Sequence, residues 1–101
     1  FDPQMHVLDL VQALQRCVAE DIELPPDLEG QLEQLVTGHS PQVRLGLAPH
    51  AEDPELARAA LAQHRQWKSL ENGSHASPAA RRVAAVVARS LELTARELAP
   101  A

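Results

Sequence analysis

Aromatic side chains are nearly absent from this sequence: they account for 2% of its 101 residues, and tyrosine does not occur. Phe1 and Trp67 are the two aromatic residues. Hydrophobic residues nevertheless make up 45% of the chain, so its core must be built mainly from leucine, valine and alanine. Short aliphatic side chains of this kind suit helices that pack closely against one another.

The chain has a single cysteine and no long apolar run. The first argues against a disulfide-bonded protein and the second against a membrane-spanning one. Cys17 is the single cysteine, so no disulfide can form within the chain, and a reducing, cytoplasmic compartment is the simplest expectation. No apolar run approaches the roughly 20 residues of a membrane span, and we expect neither a membrane span nor a signal peptide. Because the chain opens with Phe1 rather than methionine, we expect it to be a piece of a longer protein.

The sequence also lacks the patterns of common catalytic and metal sites. No two histidines have the i, i+3 or i, i+4 spacing that places both imidazoles on one helical face, so scattered surface histidines are favoured over a metal site. These histidines are His6, His39, His50, His64 and His75. Cys17 as a nucleophile would need a histidine beside it in space, and its place among apolar residues favours a small core residue instead. We therefore predict no catalytic residue, no cofactor and no metal ligand.

Charge is distributed unevenly along the chain. Residues 1–55 hold eleven acids and two bases, a net charge of −9, whereas residues 56–101 hold three acids and seven bases, a net charge of +4. The two halves could lie against each other and partly neutralise, or each could face a different partner. We favour the first arrangement.

The strongest helix signal lies at about 78–99. Ser77 can cap the first turn, and Pro78 loses no hydrogen bond at the first helical position. At 100° per residue, the apolar side chains of this segment fall within one face about 120° wide, which predicts that the helix lies against other helices. The predicted core face consists of Ala80, Val83, Ala84, Val87, Leu91, Thr94, Ala95 and Leu98.

Three further helices and one helical turn are predicted before this segment. They cover about 3–20, 26–37, 41–45 (the turn) and 54–72. Asp2 can cap the first helix, whose wide apolar face contains Cys17 and Val18, but no glycine marks its end. The second helix carries Gly30 inside it and is expected to stop at Gly38 in a left-handed conformation.

The segment that follows the second helix has a second interpretation. Val43, Leu45 and Leu47 alternate as in a strand, but the sequence offers no other strand to pair with it, so the helical turn is favoured. The next helix shows a seam at spacings of three and four residues, interrupted by the polar Gln63. The predicted seam consists of Leu56, Ala60, Gln63, Trp67 and Leu70.

The last two long helices are joined by a short link after Asn72-Gly73, and a link this short makes them antiparallel neighbours. The predicted fold class is therefore all-α. We expect a single helical domain over residues 1–101, a small antiparallel bundle of four helices plus one short helical turn. The last two long helices form a hairpin in this arrangement.

Two apolar residues of the last helix lie away from its core face. Val86 and Leu93 are seven residues apart, at about 220–240° from the centre of that face at 100° per residue. They could be ordinary exposed apolar residues, or a second contact line to another helix or a partner. Neither alternative is favoured by the pattern alone.

A line of arginines runs down the same helix, opposite its core face. Arg82, Arg89 and Arg96 could contact phosphate groups of nucleic acid or lipid. However, Glu92 is placed to pair with Arg96, the net charge is negative and no aromatic residues interleave to stack bases. We favour a solvated or internally paired face and expect no nucleic-acid binding.

An ordered series of short motifs in the second part of the chain carries a family resemblance. The motifs are Leu35-Val36-Thr37-Gly38, Arg44-Leu45-Gly46-Leu47, Arg58-Ala59-Ala60-Leu61, Trp67, Pro78, Arg82 and Arg89-Ser90-Leu91-Glu92. In this order and spacing they resemble the C-terminal end of actinobacterial dynamin-like GTPases of the isoniazid-inducible type. The resemblance covers roughly residues 32–99 and is looser over the first helix.

The resemblance implies a part of a larger machine rather than an enzyme. Proteins of that family have a GTPase head, a helical neck and a trunk, and they remodel membranes in the cytoplasm. Their C-terminal helices return to the neck beside the head, so this segment would pass nucleotide-dependent motion to the trunk. The chain contains no G-x-x-x-x-G-K-[ST] motif, so no catalytic residue of the family can be carried over.

The expected function is thus a non-catalytic helical interaction segment that contacts other helices of a parent protein or of a partner, without membrane insertion. Two alternatives remain open. A freestanding adaptor would bind a partner protein through Val86 and Leu93 or through the acidic half. A phosphate-binding helical module would use Arg82, Arg89 and Arg96.

Overall fold

The computed structural model describes residues 3–38, 40–73 and 76–98, with side chains from residue 9 onward. Within these ranges the chain forms five helices and no strand. They are α1 (Pro3–Ala19), α2 (Pro26–Thr37), α3 (Pro41–Arg44), α4 (Asp53–Glu71) and α5 (Pro78–Leu98). The all-α class is therefore confirmed, and the strand considered around Val43 does not form. Asp2 and the predicted last residue of α5 lie outside the described residues.

Proline in the first turn starts every helix, and serine caps two of them. Ser77 Oγ accepts a hydrogen bond of 3.1 Å from the backbone N–H of Ala80, as predicted. Ser40 Oγ accepts one of 3.2 Å from Val43 N–H at the start of α3. These bonds satisfy backbone donors that have no partner within the helix, and each fixes the residue at which a helix begins.

Gly38 does not take the left-handed conformation expected of it, and that prediction is wrong. Its φ is −63° and its ψ is 139°, an extended conformation. Glycine is needed there for space: a Cβ would lie 2.7 Å from Arg44 Cγ and 2.9 Å from Arg44 N. Arg44 Nε also donates a 3.0 Å hydrogen bond to the carbonyl oxygen of Gly38. The close approach of α3 therefore explains this glycine.

The left-handed position at the end of α1 is occupied by Asp21 instead of glycine. Its φ is +52°, and the N–H of Ile22 bonds back to the carbonyl oxygen of Cys17 at 3.0 Å. This is one of the two hydrogen bonds of a Schellman motif, the bond that spans six residues. Aspartate tolerates the left-handed region better than most residues, so α1 ends sharply although the sequence offers no glycine.

The core is centred on the contact between α4 and α5, the most extensive in the molecule; α1 packs against α5 and α2, and α2 packs against α3. Trp67 is 0% exposed. Most of the predicted α4 seam and α5 core face is buried, namely Leu56, Ala60, Trp67, Ala80, Val83, Ala84, Val87 and Leu91. Ala88 and Ser90 are buried as well, which was not predicted. Because α5 packs against both α4 and α1, its buried arc is wider than one helix contact requires.

Two polar side chains of α4 tie it to other elements. Gln63 Nε2 donates a 3.1 Å hydrogen bond to the carbonyl oxygen of Leu45, just after α3. His64 Nδ1–H donates one of 2.7 Å to the carbonyl oxygen of Ala88 on α5. His64 is half-buried, so its prediction as a surface histidine is wrong: the hydrogen bond across the helix contact accounts for its position.

Candidate functional site

The solvent-facing side of α5 combines apolar and basic residues. Val86 is 36% exposed, Leu93 is half-buried, and the three predicted arginines are exposed. At 100° per residue these five side chains fall within a sector of about 80°, opposite the buried Val87. We name this surface the α5 outer face; it consists of Arg82, Val86, Arg89, Leu93 and Arg96. The structure thus brings together the two groups that the sequence singled out separately.

The arginines of the α5 outer face are only partly paired. Arg96 Nη2 lies 2.9 Å from Glu92 Oε1, the pair expected from their spacing. The Arg96 side chain is 71% exposed, so this ion pair contributes little to stability. Within the described part of the chain, Arg82 and Arg89 form no ion pair. Their positive charges are therefore available to a neighbouring acidic surface.

A second surface, absent from the sequence predictions, is a groove of about 510 Å³ between α1 and α2. Six of its ten lining residues are apolar, and one of them, Val18, is 78% exposed. Val18 was expected on the packed face of α1, which is wrong: no described helix covers that end of α1. We name this feature the α1–α2 groove; its apolar lining includes Leu14, Cys17, Val18, Ile22 and Leu24.

Four carboxylates border the α1–α2 groove. They are Asp21, Glu23, Glu29 and Glu33, all of them exposed. Among the described residues that line the groove, none is a lysine, arginine or histidine. The feature therefore has an apolar floor and a negative rim.

The pKa of Cys17 is affected by the burial and the negative charge in this groove. Burial raises the pKa of the Cys17 thiol, and the negative charges of Glu29 and Glu20 raise it further. The protonated thiol is therefore the favoured form, and a thiol held in this form is a poor nucleophile. Cys17 is half-buried and packs against the edge of the core, so it is a small lining residue of the groove rather than the core residue that was predicted.

A smaller cleft of about 240 Å³ lies between the end of α1 and the start of α5. Arg82 lines it together with Arg16 and Glu20. Because one carboxylate stands among two guanidinium groups, the charge of this cleft is mixed, and it does not form a concentrated anion site.

The charged halves of the chain are not joined by ion pairs in the described residues. The ion pairs found there are Lys68–Glu71 at 3.1 Å and Arg96–Glu92 at 2.9 Å, and both lie within the second half. The expected neutralisation of one half by the other therefore does not take the form of direct contacts. The negative charge of the α1–α2 groove and the positive charge of the α5 outer face are therefore not neutralised by ion pairs between the two halves in the part of the chain that the structure describes.

The histidines do not converge on a common site in the described part of the chain. His50 is exposed and His64 is bonded to a backbone carbonyl, while His39, His75 and the side chain of His6 lie outside the described residues. No group of three or more histidine, cysteine or acidic side chains there is arranged to hold a metal ion. No described helix is long and apolar enough to cross a bilayer.

Comparisons with known proteins gave no match: no protein-family model matches the chain, and no match was found among curated proteins or solved structures. The resemblance to dynamin-like GTPases stays a prediction from its motifs. Several motif residues have structural roles here, since Arg44 holds the Gly38 carbonyl, and the side chains of Leu45 and Trp67 are buried in the core. These contacts explain the residue types without reference to a shared activity.

Proposed function

We propose that this chain is a non-catalytic helical interaction segment, the C-terminal neck portion of a dynamin-like GTPase that remodels membranes in the cytoplasm. In this proposal the helices form a small antiparallel bundle, and α4 and α5 form a hairpin. The α5 outer face contacts further helices of the parent protein. The observation that carries the proposal is the position of the exposed Val86 and the half-buried Leu93 between arginines on one helix face. The opposite face buries Val83, Val87 and Leu91.

The packing of α5 suits a part that transmits motion. Its inner face packs against α4, whose Trp67 and Leu56 are 0% and 1% exposed. The hydrogen bond from His64 to Ala88 also joins the two helices. A helix of 21 residues is about 32 Å long at 1.5 Å per residue. Displacement of a partner seated on the outer face would therefore move α4 and α5 together rather than deform them.

A freestanding adaptor is the second candidate, and it would use the same α5 outer face toward a separate protein. The phosphate-binding alternative has less support. Arg96 is paired with Glu92, and the outer face interleaves its cations with apolar side chains, as is typical of a helix contact rather than of a phosphate site.

Site-specific photo-crosslinking in cells tests the proposal. A photoreactive amino acid at Val86, in the complete protein as it is expressed, is expected to crosslink to a helix of the polypeptide that carries the GTPase head. Val43 is the matched control, because it is an exposed valine (43%) on α3, outside the α5 outer face. Crosslinks from position 86 to a separate protein would favour the adaptor. A yield no higher than at position 43 would contradict both.

A further inference from the structure

The α1–α2 groove has the features of a docking site for a helix. Six apolar residues line it, among them the exposed Val18, and four carboxylates border it without a base among the described lining residues. Apolar side chains beside charges of one sign are complementary to a helix that carries apolar side chains and charges of the opposite sign. The rim selects for charge: a helix that enters must bring apolar side chains flanked by cations.

The same chain displays a surface with these properties. Val86 and Leu93 of the α5 outer face are two helical turns apart, about 10 Å at 1.5 Å per residue. Arg82 and Arg89 flank them and form no ion pair within the described residues. Opposite charge and matching apolar character make the α5 outer face complementary to the α1–α2 groove.

We propose that the α5 outer face of one copy of this chain docks into the α1–α2 groove of a second copy. The inference rests on the proposed function, because it specifies which further helices the α5 outer face contacts: α1 and α2 of a second copy of the same parent protein. The contact is head-to-tail, so each copy offers one groove and one outer face to its neighbours.

A contact within one molecule is excluded by the packing of α5. Its inner face, with Val83 and Val87, is buried toward the rest of the core, and α5 packs directly against α1 and α4. Of the outer face, Arg82 lines the cleft at the end of α1 that also contains Ile22 of the groove. Val86 and Leu93 line neither feature and lie on the side of α5 opposite the core. Only another copy can bring the two surfaces together without unfolding the bundle.

The weight-average mass of the complete chain, measured by analytical ultracentrifugation, tests the contact. We expect the mass to rise with concentration in the micromolar range at about 0.05 M salt and to fall toward that of the monomer at about 0.5 M, because the pairing of exposed charges is screened. A monomer at every concentration and both salt levels would overturn the proposal.

Two variants each remove one side of the contact. Val18→Asp adds a charge to the groove, and Val86→Asp adds one to the outer face; both positions are exposed in the monomer, and circular dichroism checks that each variant is folded. Each variant alone is expected to weaken self-association at least tenfold. Leu61→Asp is the matched control, because Leu61 is 40% exposed on α4 and belongs to neither surface.

Mixing the two variants gives the sharpest outcome. Val18→Asp keeps an intact outer face, and Val86→Asp keeps an intact groove, so the mixture is expected to form a dimer with one copy of each. A mixture that stays monomeric would overturn the head-to-tail contact. If Val86→Asp abolishes association but Val18→Asp does not, the groove is not the receiving site; the inference then fails, while crosslinking from position 86 still decides the proposed function separately.

Discussion

The α4–α5 pair and the α1–α2 pair use apolar residues in opposite ways. Between α4 and α5, Trp67, Ala60 and Ala84 are 0% exposed, and the predicted core residues of α5 from Ala80 to Leu91 are all buried. Between α1 and α2, the floor of a groove stays open and Val18 is largely exposed. The comparison teaches that both pairs contribute to one core, to which α1 and α2 add Leu10, Ala13, Leu28, Leu32 and Leu35, but that only the α1–α2 pair leaves part of its apolar surface open.

Side-chain size explains much of this difference. Alanines at the α4–α5 contact, including Ala60, Ala84 and Ala88, allow the two helices to approach closely, so the large Trp67 side chain is enclosed. The groove side of α1 and α2 carries leucines, a cysteine and acids. The carboxylates there repel one another and favour water, so the two helices do not close over the groove.

The largest expected effect comes from replacing leucine by alanine once in each helix pair and comparing the two losses in the free energy of unfolding. Leu91→Ala, in the core of α5, is expected to lower the free energy of unfolding by about 2–5 kcal/mol, because it leaves a cavity. Leu14→Ala, in the half-open groove, is expected to cost less than half as much, since water already reaches the site. Urea denaturation of the two variants measures both values. Equal losses would show that the groove is as tightly packed as the core.

Two glycines offer a second test, with opposite signs. Gly38→Ala is expected to destabilise the protein by about 1–3 kcal/mol, because its Cβ would overlap Arg44 and force the backbone to shift. Gly30→Ala is expected to stabilise it by about 0.5–1 kcal/mol, since alanine favours a helix and a Cβ there meets nothing within 4 Å. Thermal denaturation gives both signs. A destabilising Gly30→Ala would mean that α2 is more crowded than the structure shows.

The third and smallest effect concerns the charge of the groove. Burial is the main cause of the raised pKa of Cys17, and the charge of Glu29 is the second. Glu29→Gln is therefore expected to lower that pKa slightly. The rate of thiol alkylation, which follows the thiolate, would then reach its half-maximum at a lower pH than in the unmodified protein. Glu55→Gln, on α4, is the control and is expected to leave the profile unchanged. Identical profiles for all three proteins would contradict an electrostatic coupling across the groove.

Local patterns made the helices predictable. The period of the apolar residues in α5 and the Ser77-Pro78 start depend on neighbours within a few positions, and both were found where expected. The conformation of Gly38 could not be predicted, because glycine is required there by the close approach of Arg44. That contact is not visible in the local sequence, since it depends on how α3 packs against the end of α2. The end of α1 at Asp21 could not be predicted, because a residue in the left-handed conformation at a helix end is usually glycine.

The candidate site was predictable in part. Val86, Leu93 and the arginines could be found because they share one helix, so periodicity places them relative to one another. The α1–α2 groove could not be found, since it depends on how far apart two helices settle. A clue was present in the six acids from Glu20 to Glu33, because no base lies among them and neighbouring carboxylates repel one another.

The central claim is that α5 has one face for the core and another for a partner, and the unfolding free energy of the double variant Val86→Asp, Leu93→Asp tests it most directly. Val87→Asp, on the buried face, is the reference and is expected to unfold the protein. The account predicts that the double variant stays folded, within about 1 kcal/mol of the unmodified protein, as for most surface substitutions. Loss of folding as in Val87→Asp would place both residues in the core and contradict the account.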